Sequence, residues 1–192
     1  MDLTPHCHLC FTTLLTDLSH PLTPSPSTKS NLISEIQGTF PLFVTWKLSS
    51  NLRGCIGTFS PQPLSTGLQT YARAAAFQDR RFSPITASEV PQLRVGVSLL
   101  VDFEPAAGYT DWIIGTHGIW IEFGDGVTAT YLPEVAGEQG WTHVEALDSL
   151  LRKGGFRGRI TEDVRRGVKV TRYRSVKKEV SWEEYRAYIE GL

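Results

Sequence analysis

A chain of 192 residues fits one domain with room for two lobes, and its 41% hydrophobic and 10% aromatic content supplies a full core. That balance excludes a disordered or coiled-coil protein. Nineteen Lys and Arg against twenty Asp and Glu leave a net charge of -1, so binding to nucleic acid or to an anionic membrane has no global electrostatic basis and would need a local patch.

No apolar run approaches the roughly 20 residues that span a bilayer, and the N-terminus MDLTPHCHLCF lacks the basic region of a secretory signal. Three cysteines are too few for a disulfide scaffold and point to a reducing, intracellular setting.

The first predicted element is a helix over residues 4–18, with Thr4 as N-cap and Pro5 at the first helical position. Cys7, Cys10, Phe11, Leu14 and Leu18 form its apolar stripe. Residues 19–30, with Pro21, Pro24 and Pro26 among Ser and Thr, read as a linker without helix or central strand, and residues 31–192 form the main body. From Phe40 to Leu48 the period is two, and Leu52–Phe59 is a second extended stretch. The pair reads as a hairpin around Ser49-Ser50-Asn51, stopped by Pro61 and Pro63.

Leu64–Asp79 returns to helical spacing, and Leu93–Phe103 suits a central strand. Ile119–Phe123 and Val127–Leu132 form a hairpin through Gly124-Asp125-Gly126. Capping boxes at Thr142/Glu145 and Ser181/Glu184 start two helices, the first ending at Lys153-Gly154, with a strand over Val168–Arg174 between them. Hairpins interrupted by helices predict an α+β fold of mostly antiparallel sheets flanked by helices, with two lobes.

The densest chemistry lies in Leu52-Arg53-Gly54-Cys55-Ile56-Gly57-Thr58-Phe59. Extended, it places Arg53, Cys55, Gly57 and Phe59 on one face, where an arginine beside a thiol favours the nucleophilic thiolate. Against this stands the common role of a free cysteine as a small buried apolar residue, with Gly54 and Gly57 serving close packing. Asp79, Arg80 and Arg81 lie where the Leu64–Asp79 helix ends and a loop begins, and Asp79 is expected to pair with an arginine there. His117, between glycines ahead of a strand, is a candidate base if it lies near Cys55.

Cys7-His8-Leu9-Cys10 lacks the second ligand pair of a zinc site, so core packing is the stronger reading and no metal is expected. With no Walker loop, dinucleotide fingerprint or G-x-S-x-G elbow, no cofactor is expected either. The basic final third, from Arg152 to Lys178, contains Arg172 and Arg174 on one strand face with Tyr173 on the other. It is the one stretch suited to phosphate or RNA.

LRGCIGTF resembles the signature of the AMMECR domain family. Asp79-Arg80-Arg81-Phe82, Val97-Ser98-Leu99-Leu100, His117-Gly118-Ile119, Thr130–Ala136, Glu138–Trp141, Arg152–Gly155 and Arg172–Ser175 resemble family blocks in the same order. Cys7-x-x-Cys10-Phe11 resembles its eukaryotic branch, in which an acidic residue is expected where Thr12 stands. The resemblance implies one two-lobed domain over residues 1–192, with LRGCIG at a cleft between the lobes. It also implies association with a Memo-family protein and a radical-SAM pathway, and a nuclear or cytoplasmic location.

Two functions are weighed. The first is an enzyme or accessory factor of RNA or small-molecule modification. Cys55 is its nucleophile, Arg53 the activating cation, and His117 or Glu134 the proton-transfer group, with Gly54, Gly57, Asp79, Arg80, Arg81, Arg172 and Tyr173 binding the substrate. The second is a non-catalytic adaptor for a Memo-like protein or RNA.

Overall fold

The alternation that begins at Phe40 produces the strand on which the rest of its layer is built. In the computed structural model, which describes residues 1–191, β1 (Thr39–Leu48) turns at Ser49-Ser50 into β2 (Asn51–Pro63). Leu48 sits opposite Asn51, and both serines take left-handed φ values of 47° and 73°, as a two-residue hairpin loop requires. β1 also pairs antiparallel with β3 (Leu93–Pro105), from Leu42 opposite Leu99 to Leu48 opposite Leu93.

β2 ends at Pro63 as expected but runs on through Pro61, because it is the outermost strand of its sheet and an edge position tolerates residues with no N–H to give.

Two compact units divide the chain, one made of Met1–Leu99 with the residues from Val176 onward, the other of Leu100–Ser175. In the first, α1 (Thr4–Asp17) is buried on nearly every side, from His6 to Leu15, rather than along one stripe. Its cap also differs from expectation. Thr4 is already helical, and Asp2 Oδ1 accepts from the Thr4 N–H (2.9 Å) and hydroxyl (2.7 Å).

The predicted linker contains a helix, α2 (Pro26–Glu35). Ser25 caps it by accepting from the Thr28 N–H, and Pro26 occupies the first turn, where its missing donor costs nothing. α3 (Leu64–Phe77) completes this layer, and its Leu68, Ala72 and Ala75 join Val44, Trp46, Phe11 and Leu14 in one core.

Within that core His8 is 7% exposed, stacked on Tyr188 at 4.1 Å and edge-on to Tyr185 at 5.5 Å. Burial pushes its pKa down to about 4. A histidine held neutral in the folded state contributes stability above its unfolded pKa near 6.5, and that contribution is lost as pH falls towards 4. His8→Phe is therefore expected to flatten the pH dependence of the urea midpoint in that window, by on the order of 2 kcal/mol.

The second unit is built on β4 (Gly118–Phe123) and β5 (Val127–Tyr131), joined through Gly124-Asp125-Gly126. β4 pairs on its other side with β6 (Lys169–Ser181), which is longer than the predicted Val168–Arg174. α4 (Pro133–Glu138), α5 (His143–Lys153) and α6 (Glu162–Arg166) follow the hairpin, and α5 carries the expected Thr142/Glu145 capping box. Ile119, Ile121, Leu147, Leu150, Leu151 and Val170 fill its core.

α7 (Trp182–Glu190) starts at the Ser181/Glu184 box and belongs to the first unit. The strand order is β2-β1-β3-β6-β4-β5, an α+β architecture with antiparallel neighbours in every pairing described above. Among the described residues no helix is long and apolar enough to cross a membrane.

Candidate functional site

Register decides what surrounds Cys55. Lys47 faces Leu52 but Trp46 faces Gly54, so Arg53 is an extra residue, a bulge, and the pairs from Trp46/Gly54 to Leu42/Thr58 shift by one. Gly54 then shares the core face with Trp46. A side chain there would strike the carbonyl oxygen of Ala75 on α3, so only glycine lets that helix approach.

Cys55 falls opposite Thr45 on the other face, and the Thr45 hydroxyl donates to the Cys55 sulfur at 3.2 Å. Thr45 in turn faces Gly96 of β3. In the next row Gly57 faces Phe43, which faces Ser98, and the Phe43 ring covers Gly57 and meets Phe59 edge-on at 5.1 Å. The half-buried thiol thus stands on a floor of small residues with an aromatic pair beside it.

Cys55 turns its own N–H and C=O away from β1, and on an edge strand both would be left open. The loop after α3 closes them. Asp79 Oδ2 accepts the Cys55 N–H at 2.9 Å, and Arg81 donates to the Cys55 carbonyl at 3.3 Å. Asp79 and Arg81 are themselves joined by three bonds, with the Arg81 N–H (3.2 Å) and Nε (2.9 Å) donating to Oδ1 and a terminal nitrogen to Oδ2 at 2.7 Å. The Arg81 guanidinium, with desolvation opposing it and the Cys55 and Arg81 N–H groups assisting, holds the Asp79 carboxyl well below the usual carboxylate range. Arg81 also lies within electrostatic reach of the Cys55 side chain.

Arg53 does not take the place expected for it beside the thiol. Its bulged position sends the guanidinium to Glu89 (2.7 Å) and to the carbonyls of Ser83 (2.7 Å) and Pro84 (3.2 Å). Arg80 is exposed on the same loop. Cys7 and Cys10 are buried in the α1 core, which pushes the Cys7 thiol up to about 12 and Cys10 well above its ordinary value. Among the described residues no group of three His, Cys, Asp or Glu is placed to hold a metal ion. Thr12, where the resemblance expects an acid, is buried and hydrogen-bonded to the Tyr185 hydroxyl at 2.8 Å.

The remaining candidates belong to the second unit. Tyr173 presents nothing to a ligand, in contrast to its expected role. It is 0% exposed, bonded through its hydroxyl to Thr130 Oγ1 (2.9 Å) and to the Tyr131 carbonyl (2.9 Å), and stacked on Phe103 at 4.9 Å. Glu134 stands in the first turn of α4, within electrostatic reach of Tyr173.

His117 and Arg172 do share a concavity of about 200 Å3, lined also by Asp102, Glu104, Thr116 and Arg174. The Ile113 N–H donates to His117 Nδ1 at 3.0 Å, so the neutral ring carries its proton on Nε2. The arginines are already matched: Arg172 with Glu104 (3.0 Å) and Asp111 (2.9 Å), Arg174 with Asp102, whose φ of 54° is left-handed. Elsewhere in the basic third, Arg165 pairs with Asp148, Arg166 with Glu162 and Lys169 with Glu122. Five cations of the expected basic stretch, Arg165, Arg166, Lys169, Arg172 and Arg174, are thus held in ion pairs.

The sequence pattern does not reveal Thr45 as the partner of Cys55, because the bulge at Arg53 has no signature in it, nor does it show that Arg81 reaches back to β2.

The chain is similar to proteins from several kingdoms. A model of the AMMECR1 family matches residues 7–178. An uncharacterised protein of Arabidopsis thaliana is 45% identical over 192 residues, covering 95% of this chain and 86% of that one. An uncharacterised protein of Schizosaccharomyces pombe is 39% identical over 199 residues, covering 100% of both. The crystal structure of an uncharacterised protein from Pyrococcus horikoshii shares the fold, with a TM-score of 0.64 and 24% identity over 91% of this chain and 89% of that one.

Proposed function

The chain belongs to the AMMECR1 family, and we propose that it serves the modification of a small molecule or of RNA, as an enzyme or accessory factor, with Cys55 as its reactive group. One observation carries this reading. Of the three cysteines, Cys55 alone is half-exposed, and its sulfur accepts the Thr45 hydroxyl within electrostatic reach of Arg81. A half-exposed thiol oriented by a hydroxyl donor is open to an electrophile, as the buried Cys7 and Cys10 are not.

Gly96 ends the row that Cys55 and Thr45 begin, the Phe43 ring fills the space over Gly57 in the next row, and the Asp79–Arg81 clamp fixes the backbone that carries the sulfur. Arg81, not Arg53, is the cation of this site. The alternative, an adaptor for a Memo-family protein or RNA, rests on Arg172 and Arg174, and their pairing with acids gives it less support.

Alkylation of the native protein by iodoacetamide, read residue by residue by mass spectrometry, tests the proposal. Cys55 is expected to react at least about tenfold faster than Cys7 or Cys10, and Thr45→Val to slow it severalfold. Reaction of Cys55 only on unfolding would make it a packing residue and end the thiol reading.

A further inference from the structure

A second concavity, independent of Cys55, lies wholly within the second unit. It measures about 440 Å3, enough for a mononucleotide-sized ligand, and it is bounded by the β4–β5 turn, the loop after α5 and α6. Its walls combine aromatic side chains with bare main chain. Phe123 and Phe156 meet edge-on at 6.2 Å, while Gly155, with φ 94° and nothing near its missing side chain, opens the wall beside them.

The loop is fixed rather than loose, because the Arg152 guanidinium donates to the carbonyls of Phe156 (2.8 Å) and Gly158 (2.9 Å). Arg157, exposed between these two carbonyl-bearing residues, lines the groove. Asp163 lines the same groove. These two opposite charges form no ion pair with each other, whereas most cations of this unit are matched with acids.

We propose that this groove binds a nucleotide with a guanine base. An aromatic ring in a shallow apolar groove offers a stacking platform to any base. The Asp163 carboxylate, an acceptor only, selects the base that presents two adjacent N–H donors. Guanine does so on its Watson–Crick edge. Adenine and cytosine set a ring-nitrogen acceptor beside their amino group, which the carboxylate repels. Arg157 supplies the charge-assisted donors for the phosphate. The same chemistry is offered by a free nucleotide and by a guanosine at the end of an RNA strand.

Titration of the full chain with GMP, followed through the amide resonances of Gly155 and Gly158, tests this. Saturable shifts are expected, with weaker binding of AMP. Arg157→Ala is expected to weaken GMP about tenfold. It should leave guanosine unaffected, since guanosine lacks the phosphate. Asp163→Asn should abolish the preference for GMP over AMP. Both side chains are exposed, and unchanged amide spectra elsewhere would show that the variants remain folded.

A guanosine-ended trinucleotide binding tighter than GMP assigns the groove to RNA, and the reverse order assigns it to a free nucleotide. Absence of saturable shifts, unaltered GMP binding in Arg157→Ala, or shifts with octanoate but not GMP would overturn the proposal.

Discussion

Gly54→Ala is expected to be among the most destabilising single-methyl changes in this protein, costing more than about 3 kcal/mol in urea unfolding. The added carbon would meet the carbonyl oxygen of Ala75, a main-chain atom of α3 that cannot swing aside as a side chain would. Relief requires moving α3 off β1 and β2, and that helix contributes Leu68, Ala72 and Ala75 to the core around Trp46. Trp46 Nε1 also donates to the Ala72 carbonyl at 3.0 Å, so displacement of the helix breaks a buried hydrogen bond as well. A shift in unfolding midpoint below that of an ordinary surface substitution would show that the helix yields, and the close approach would lose its meaning.

Asp79→Ala comes second, at about 2–4 kcal/mol. The carboxylate is 5% exposed and accepts from the Cys55 N–H, from the Arg81 N–H and from the Arg81 side chain. Its removal opens the edge of β2 at Cys55 and releases the guanidinium. The pH dependence follows from the depressed carboxyl. A carboxylate whose folded pKa lies below its unfolded value contributes fully above the unfolded value near 3.8, and the contribution fades as pH falls further, through the lowered folded value. Asp79→Asn should therefore cost stability at pH 7 and remove part of the loss seen in the wild type below pH 3.8. Urea midpoints at both conditions decide the matter, and equal midpoints for variant and wild type at pH 7 would refute it.

Much of the fold was written locally. The capping boxes at Thr142/Glu145 and Ser181/Glu184 define helix starts through contacts three residues apart, and period-two runs define β1 and β4. The proline-rich stretch misled because a proline count does not distinguish a broken helix from one begun correctly, and Ser25-Pro26 is a start.

The site was legible in part. The shared face of Cys55 and Gly57 follows from alternation, and the pairing of Asp79 with an arginine from proximity in the chain. The companion of Cys55 was not, because a regular hairpin closed by Leu48 and Asn51 would set Thr45 against Gly54. The single extra residue at Arg53 makes the difference, and it sets Gly54 against the Ala75 carbonyl of α3, a contact far off in the chain. Tyr173 shows the same limit. Its flanking arginines suggest a surface, and only the tertiary structure reveals a hydroxyl satisfied inside.

The bond between Thr12 and Tyr185 joins residues 173 positions apart, and it has a consequence for biosynthesis. At 5–20 residues per second, a ribosome exposes α1 roughly 10–30 s before the helix that carries Tyr185. The second unit is one uninterrupted stretch and can be finished within that interval, whereas the first, begun earlier, is closed last. Until then Phe11 lacks its partners Trp182 and Tyr185, so nascent chains of this protein should be clients of chaperones that act at the ribosomal exit.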